Sequence, residues 1–264
     1  MENFLGVPDT GVWLFAAMTF AALVTTFLGT VTGTAGGLLL LAFMAFFYPP
    51  LVLIPVHTVV QLGAGTSRAV LMWRYVKKPL ILPFTIGAAL GALAGAQIFT
   101  TLTSSTLQVI LGGFILFVLY VPKFAAGGPE RPRFGLLGFA ATFLGIFVSA
   151  TGTFLSPFVA HASADRHIHV STMAMLMAVT HVAKLITFGA IGFAVGAYVP
   201  LMIAMVGGTI AGNWIGGRTL NLIPEKTFRI VFKILLTLLA IRLLIGAAYD
   251  AGWLEPAVRY IRSI

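Results

Sequence analysis

The chain is a succession of apolar runs separated by short polar or charged stretches. In the first half the runs cover residues 12–28, 38–47, 53–75, 80–99 and 107–121. The second half repeats this order with runs at 134–148, 154–162, 170–188, 199–215 and 227–248, and a polar loop is predicted at 165–169. A helix that crosses a membrane takes about 20 residues. The pattern therefore predicts ten helical segments, of which the second and seventh are either tilted spans or arms of re-entrant hairpins.

A glycine- and threonine-rich break follows the first run of each half. Residues 27–38 read FLGTVTGTAGGL, and residues 143–154 read FLGIFVSATGTF, about 116 residues later. Glycine weakens a helix because it gains backbone freedom when the helix opens. An open backbone in hydrocarbon must be lined by protein or water. Two such breaks at corresponding positions of two halves indicate the binding site of a transporter.

Glycine also recurs at every fourth position in one long run of each half. In the first half, Gly87, Gly91 and Gly95 share one helix face. In the second half, Gly208, Gly212 and Gly216 share a face. Gly208 and Gly212 follow Gly91 and Gly95 by about 117 residues. This spacing lets a neighbouring backbone approach closely. With the repeated breaks, it predicts an internal duplication of five segments.

Composition assigns the chain to the membrane. Of its 264 residues, 59% are hydrophobic and 9% are charged, whereas a soluble domain carries roughly 25% charged residues. There is no cysteine, so the sequence predicts no disulfide framework and no thiolate site. The net charge of +9 resides in short loops. Loop charge of this kind is typical of membrane topology and not of nucleic-acid binding.

Charge placement predicts the orientation of the chain. Lysine and arginine gather around Arg74, Lys77 and Lys78 and in residues 123–133, whereas the segment ends near residues 49, 101 and 192 carry none. The positive-inside rule then places both termini outside and the linker inside. Five segments in each half invert the second half relative to the first. The prediction is an all-α integral membrane protein of two inverted repeats, 1–122 and 134–264, joined by a cytoplasmic linker at 123–133.

Two basic residues fall inside predicted spans. Arg68 lies in the third segment, and Lys184 lies about 116 residues later in the eighth. A charge in the bilayer interior costs several kcal/mol unless it is paired or hydrated, so both are functional candidates. The alternative is that their long stems reach the headgroups, which is easier for Arg68 because it is under two turns from the cytoplasmic end. All seven carboxylates lie in predicted loops or termini, so the spans contain no acidic proton relay or sodium ligand.

Polar residues flank both charges at helical spacing. His57, Gln61, Gly65 and Arg68 share one face, and His181 lies one turn before Lys184. Hydroxyls in these helices either bind a ligand or bond their own preceding turn. Half-helices that begin after the breaks would aim free N–H groups at the same point. These features predict a midplane anion site with His181 as the proton-coupling group. The predicted substrate-binding residues are Gly36, Gly37, Gln61, Thr66, Ser67, Arg68, Thr151, Gly152, Thr180, His181 and Lys184.

Catalytic and metal-dependent functions have weaker support. No motif ties Ser149 to His181 as an intramembrane protease would require. His167 and His169 lack a third metal ligand at suitable spacing, and a Walker-type phosphate loop is absent. The sequence therefore predicts no enzyme, no metal and no cofactor.

The chain resembles the sulfite exporter TauE/SafE family of membrane permeases over nearly its whole length. The resemblance rests on the duplicated breaks (Gly29 to Gly37 and Gly145 to Gly152), on Pro55 to Arg68, and on the glycine-every-fourth helices. It implies secondary transport of sulfite, sulfonates or other organosulfur anions, often outward, in the bacterial inner membrane. Ala35 and Thr153 depart from the family, which often has glycine there. The alternative function is a passive anion channel. The expected partners are the anion and the bilayer, and a homodimer is left open.

Overall fold

Helix is the only regular structure among the residues that the structure describes. The computed structural model describes residues 3–32, 36–120, 129–149, 151–162, 165–192, 196–218 and 225–253. Its α-helices are α1 (Val12–Thr32), α2 (Gly36–Met44), α3 (Pro50–Leu71), α4 (Ile81–Phe99), α5 (Ser104–Tyr120), α6 (Glu130–Val148), α7 (Gly152–Ala162), α8 (Arg166–Ala190), α9 (Val199–Arg218) and α10 (Glu225–Asp250). The all-α fold predicted from the apolar runs is confirmed over these residues.

Six stretches of the described chain are long and apolar enough to cross a membrane. They are Val12–Thr30, Pro50–Val70, Lys78–Phe99, Glu130–Val148, His167–Ala190 and Gly196–Gly216. The apolar helix α5 is shorter, and α2 and α7 contain only 9 and 11 residues. A spanning helix needs about 20 residues, so α2 and α7 are too short to cross by themselves. The chain is a multi-pass membrane protein.

α1 and α2 form a hairpin around the first break. A Cβ atom at Gly36 would overlap the backbone oxygen of Thr25, so only glycine lets the start of α2 lie this close to α1. The hydroxyl of Tyr48, which follows α2, lies 2.7 Å from Thr10 Oγ1, just before α1. The hairpin therefore returns to the end of the molecule at which α1 begins. Residues 33–35 of the break lie outside the described residues.

α6 and α7 form a second hairpin at the opposite end. Ser149 ends α6 with a left-handed φ of 58°. Lys77 Nζ donates to Glu130 Oε1 at 2.7 Å and to the carbonyl oxygen of Ala162 at 2.9 Å, so the first residue of α6 meets the last of α7. The helix α3, which rises about 33 Å, separates Tyr48 from Lys77. The two hairpins therefore begin at opposite ends of α3.

Glycine permits the two closest helix pairs, α4 against α6 and α1 against α9. Cβ atoms at Gly87 or Gly91 would overlap the backbone of α6, and Cβ atoms at Gly208 or Gly212 would overlap the backbone of α1. This confirms the close approach predicted from glycine at every fourth position.

The helices α3 and α8 pack against each other. In addition, α3 contacts α9, and α8 contacts α4. The sequence pattern predicts a loop at 165–169, but α8 already begins at Arg166. Asp165 accepts a hydrogen bond from the Ile168 backbone nitrogen at 3.0 Å, and this cap satisfies a donor of the first helical turn. The added turn brings His167 and His169 to the wall of a cavity.

Candidate functional site

A cavity of about 630 Å³ lies between α1, α2, α3, α7, α8 and α9. Its lining runs along α8 from His167 to His181 and along α3 from Met72 to His57. This stretch of α8 rises about 21 Å, which exceeds half of a hydrocarbon core about 30 Å thick. His167 is exposed, whereas His57 is fully buried. The mouth therefore lies at the end of the molecule that holds Lys77, and His57 lies at the floor.

His57 connects the two glycine breaks at this floor. Its Nε2 atom lies 2.8 Å from the carbonyl oxygen of Gly37, in α2, and its Nδ1 atom lies 2.9 Å from Ser149 Oγ, at the end of α6. A carbonyl oxygen only accepts hydrogen bonds, so Nε2 carries the hydrogen. In the neutral ring Nδ1 is then the acceptor, and the Ser149 hydroxyl donates to it. One imidazole thus holds both breaks together.

Lys184 lies behind Ser149. Its Nζ atom donates to Ser149 Oγ at 3.1 Å, and the residue is 0% exposed. The hydrogen bonds therefore run in one direction, from Lys184 to Ser149, from Ser149 to His57, and from His57 to the Gly37 carbonyl. Lys184 does not line the cavity, so its charge reaches the floor through Ser149 and not by direct contact.

The N-terminus of α7 also borders the floor. Gly152 and Thr153 line the cavity, and a Cβ atom at Gly152 would lie 3.7 Å from Met177 Sδ on α8. Thr153 Oγ1 and His181 Nδ1 are buried without a hydrogen-bond partner among the described residues. A helix N-terminus carries free N–H groups and a partial positive charge. The floor therefore offers both to a ligand.

Arg68 forms a second polar cluster nearer the mouth. Its Nη2 atom donates to Asn213 Oδ1 at 2.7 Å and to Thr30 Oγ1 at 2.9 Å. Asn213 Nδ2 in turn donates to the carbonyl oxygen of Ala64 at 3.1 Å. Arg68 is therefore held by α1 and α9 against the cavity wall, and neither of its two partners is a carboxylate.

Most of the residues predicted for the site line this cavity. They are Gly36, Gly37, Gln61, Ser67, Arg68, Gly152 and His181. Thr151, Thr180 and Lys184 are buried but do not line it. The hydroxyl of Thr180 donates to the carbonyl oxygen of Leu176, one turn earlier in α8, at 3.1 Å.

Thr66 is placed away from the cavity. It is exposed and lines an apolar groove between α3, α4 and α8. Successive helical residues are rotated by about 100°. Around the helix axis, Ala64 and Arg68 lie on one side of Gly65 and Thr66 lies on the other, so Thr66 faces the groove and not the cavity.

Three polar residues of the site were not among those predicted from the sequence. Ser149 pairs with His57 and Lys184, not with His181. Asn213 binds Arg68, and its only sequence signal is an amide inside an otherwise apolar glycine helix. His57 was placed on the right helix face, but nothing local to α3 indicates its contacts with residues 37 and 149.

The fold and the cavity define a multi-pass helical membrane protein with a chamber between its spans whose lining includes Arg68 and several histidine, hydroxyl and amide side chains. The sulfite exporter TauE/SafE family matches residues 18–243, and the chain belongs to this family. Members of the family are membrane transporters and not enzymes. No curated protein and no solved structure matches the chain.

Proposed function

We propose that this protein is a secondary transporter that exports small anions, such as sulfite, sulfonates or other organosulfur compounds, by alternating access. The observation that carries the proposal is the closed floor of the cavity. There the Lys184 charge and the N-terminus of α7 converge with the Thr153 hydroxyl and the His181 Nδ1 atom, which have no hydrogen-bond partner in the described part of the chain. These are the groups that bind an anion.

The distribution of charge supports an anion over a cation. Among the described residues, the carboxylates Asp9, Glu130, Asp165, Glu225 and Asp250 lie at helix ends or outside the helices. Within the described part of the chain, the hydrogen-bond acceptors of Arg68 and Lys184 are neutral oxygens. A buried charge without a counter-ion is costly, so an arriving anion gains by supplying one.

Closure of one end supports a carrier over the alternative, a passive channel. The cavity is lined from exposed His167 to buried His57, and the far end holds Tyr48, which is 5% exposed. Tyr48 bonds Thr10 and packs edge-on against Tyr198, with ring centroids 6.0 Å apart. A carrier in one of its two end states has this arrangement, with one side open and the other sealed.

The helix contacts support two inverted repeats, 1–122 and 134–264. Under this assignment α1 to α5 correspond to α6 to α10. The pair α4 and α6 then corresponds to the pair α9 and α1, and both are close glycine contacts. The two hairpins enter from opposite ends of α3, as inversion requires. Residues 121–128, which contain most of the 123–133 linker, lie outside the described residues.

Orientation and coupling complete the proposal. The basic residues around Lys77 support a cytoplasmic cavity mouth, with both termini outside, in the cell inner membrane. His181 lines the floor close to bound anion, whose charge would favour a protonated imidazole. Anion and proton would then bind together, and this supplies coupling without a carboxylate.

A counterflow experiment tests the function. Liposomes with purified protein are loaded with sulfite, sulfoacetate, thiosulfate, sulfate or a carboxylate and diluted into a trace of the labelled anion. With the membrane potential held at zero by equal K⁺ and valinomycin, a carrier accumulates label transiently against its gradient, whereas a channel only equilibrates it. The transported anion should also stabilise the protein by about 2.7 kcal/mol at about 100 times its Kd. Equilibration without accumulation would establish the channel, and neither stabilisation nor flux with any anion would reject the site.

A further inference from the structure

A second cavity, of about 640 Å³, lies on the outer side of the helices that form the transport cavity. It is the apolar groove between α3, α4 and α8 that also contains Thr66. We propose that this groove holds an acyl chain of an anionic phospholipid, whose headgroup binds Arg74 and Lys78. The proposal concerns a lipid partner and does not depend on the transported anion.

The lining of the groove suits a hydrocarbon chain. Alanine at positions 69, 89, 92, 178 and 183 leaves the space that larger side chains would fill. Thr85, which also lines the groove, donates its hydroxyl to the carbonyl oxygen of Ile81 at 2.8 Å. That hydroxyl is already satisfied by its own helix, so it does not call for a polar ligand.

The length of the groove matches one leaflet of a bilayer. Along α8 it extends from Met175 to Thr187, a rise of about 18 Å. Half of a hydrocarbon core about 30 Å thick is about 15 Å. An acyl chain in the groove would therefore reach the middle of the membrane while its headgroup stayed at the surface.

The groove ends at an aromatic and basic rim. Trp73 lines it and is 48% exposed, and Lys78 Nζ lies 5.6 Å from the centroid of the Trp73 ring. Arg74 and Lys78 are exposed and form no ion pair among the described residues, whereas nearby Lys77 is paired with Glu130. Tryptophan favours the headgroup level, and clustered basic residues attract anionic lipids. An apolar groove that ends at such a rim can hold both the acyl chain and the headgroup of one anionic lipid.

Lipid binding to purified full-length protein tests the headgroup contact. Phosphatidylglycerol and phosphatidylcholine with identical acyl chains are titrated in detergent, and bound lipid is counted by native mass spectrometry. Each of the two surface basic residues should raise the affinity for phosphatidylglycerol over that for phosphatidylcholine about fivefold, which gives a preference of about 25-fold for the pair. Arg74→Gln with Lys78→Gln should remove this preference. The control is Lys233→Gln. Lys233 Nζ also lies beside an aromatic ring, 4.2 Å from the Tyr120 centroid, but neither residue lines the groove. This variant should keep the preference.

A second pair of variants tests the acyl chain. Ala89→Phe fills the groove from an exposed position and should weaken binding of both lipids at least tenfold, whereas Ala190→Phe, exposed on α8 and outside the groove, should not. Equal affinity for the two lipids overturns the headgroup assignment. Undiminished binding to Ala89→Phe overturns the groove assignment. A dimer that Ala89→Phe dissociates would show that a second copy of the chain, not lipid, fills the groove.

Discussion

His57 Nδ1 lies 2.9 Å from Ser149 Oγ, across 92 positions of sequence. The other ring nitrogen of His57 contacts the Gly37 carbonyl oxygen, so one buried side chain joins α2, α3 and the end of α6. In a carrier, the elements around the floor must separate when the opposite side opens. If the protein is the carrier proposed above, we expect these two hydrogen bonds to be among the contacts that break in each cycle.

Two substitutions of Ser149 distinguish the effect of its hydroxyl on transport from the effect of its backbone conformation on stability. Ser149→Gly removes the hydroxyl and suits the left-handed φ of 58°, whereas Ser149→Ala removes the hydroxyl and keeps the strain. We expect similar losses of transport, with Ser149→Ala less stable than Ser149→Gly by about 1 kcal/mol. Flux in liposomes and unfolding in detergent measure the two effects. Normal flux in a folded Ser149→Gly protein would exclude a role for the hydroxyl.

Lys184→Met removes the buried charge and keeps an unbranched side chain that is one heavy atom shorter. An anion at the cavity floor beside Ser149 would lie about 6 Å from Lys184 Nζ, where the attraction is about 2–3 kcal/mol at an effective dielectric of about 20. We therefore expect anion affinity to fall about 30- to 150-fold. Folding stability should be unchanged or higher, because a buried charge costs desolvation energy. Calorimetric titration with the transported anion, at unchanged folded yield, tests this, and undiminished affinity would contradict it.

Gln61 and Thr66 form a matched pair on α3. Gln61 lines the cavity, whereas Thr66 faces the outer groove. Gln61→Leu should lower anion affinity about tenfold or more, because it replaces a polar wall with an apolar one. Thr66→Val, which keeps the shape of the side chain, should leave affinity within about twofold, as surface substitutions typically do. A larger effect of Thr66→Val would mean that α3 is rotated relative to the described structure.

Alanine at the two breaks should have different consequences. At Gly36 the added methyl would overlap the Thr25 backbone oxygen, so Gly36→Ala should lower the yield of folded protein. At Gly152 the methyl would lie at an ordinary 3.7 Å from Met177 Sδ, so folding should persist. Transport by Gly152→Ala should still fall, because the methyl occupies the lining beside the N–H groups of α7. Size-exclusion yield and counterflow compare the two, and normal transport by Gly152→Ala would argue against an anion at this helix end.

Cysteine labelling tests the orientation. The native chain has no cysteine, so Thr101→Cys and Arg131→Cys each introduce one reactive site at an exposed position. In intact cells an impermeant thiol reagent should label Thr101→Cys, whereas Arg131→Cys should react only after permeabilisation. Labelling of Arg131→Cys from outside would reverse the assigned topology and place the cavity mouth outside.

The sequence by itself determined the features that have a local period. Apolar runs of membrane length predicted the helices, glycine at every fourth position predicted the two close helix pairs, and repeated breaks predicted where helices end. The four residues on one face of α3 all line the cavity, because helical geometry alone places them together.

Only the tertiary structure decided which polar groups meet. The sequence brings Ser149 into consideration only with His181 and does not single out Asn213. The fold brings these two residues to His57 and Arg68. Lys184 was found from its buried charge, but its position behind Ser149 depends on how α6 packs on α8. A local pattern states which face of a helix a side chain occupies. It does not state which distant helix covers that face, because that depends on packing between segments far apart in the chain.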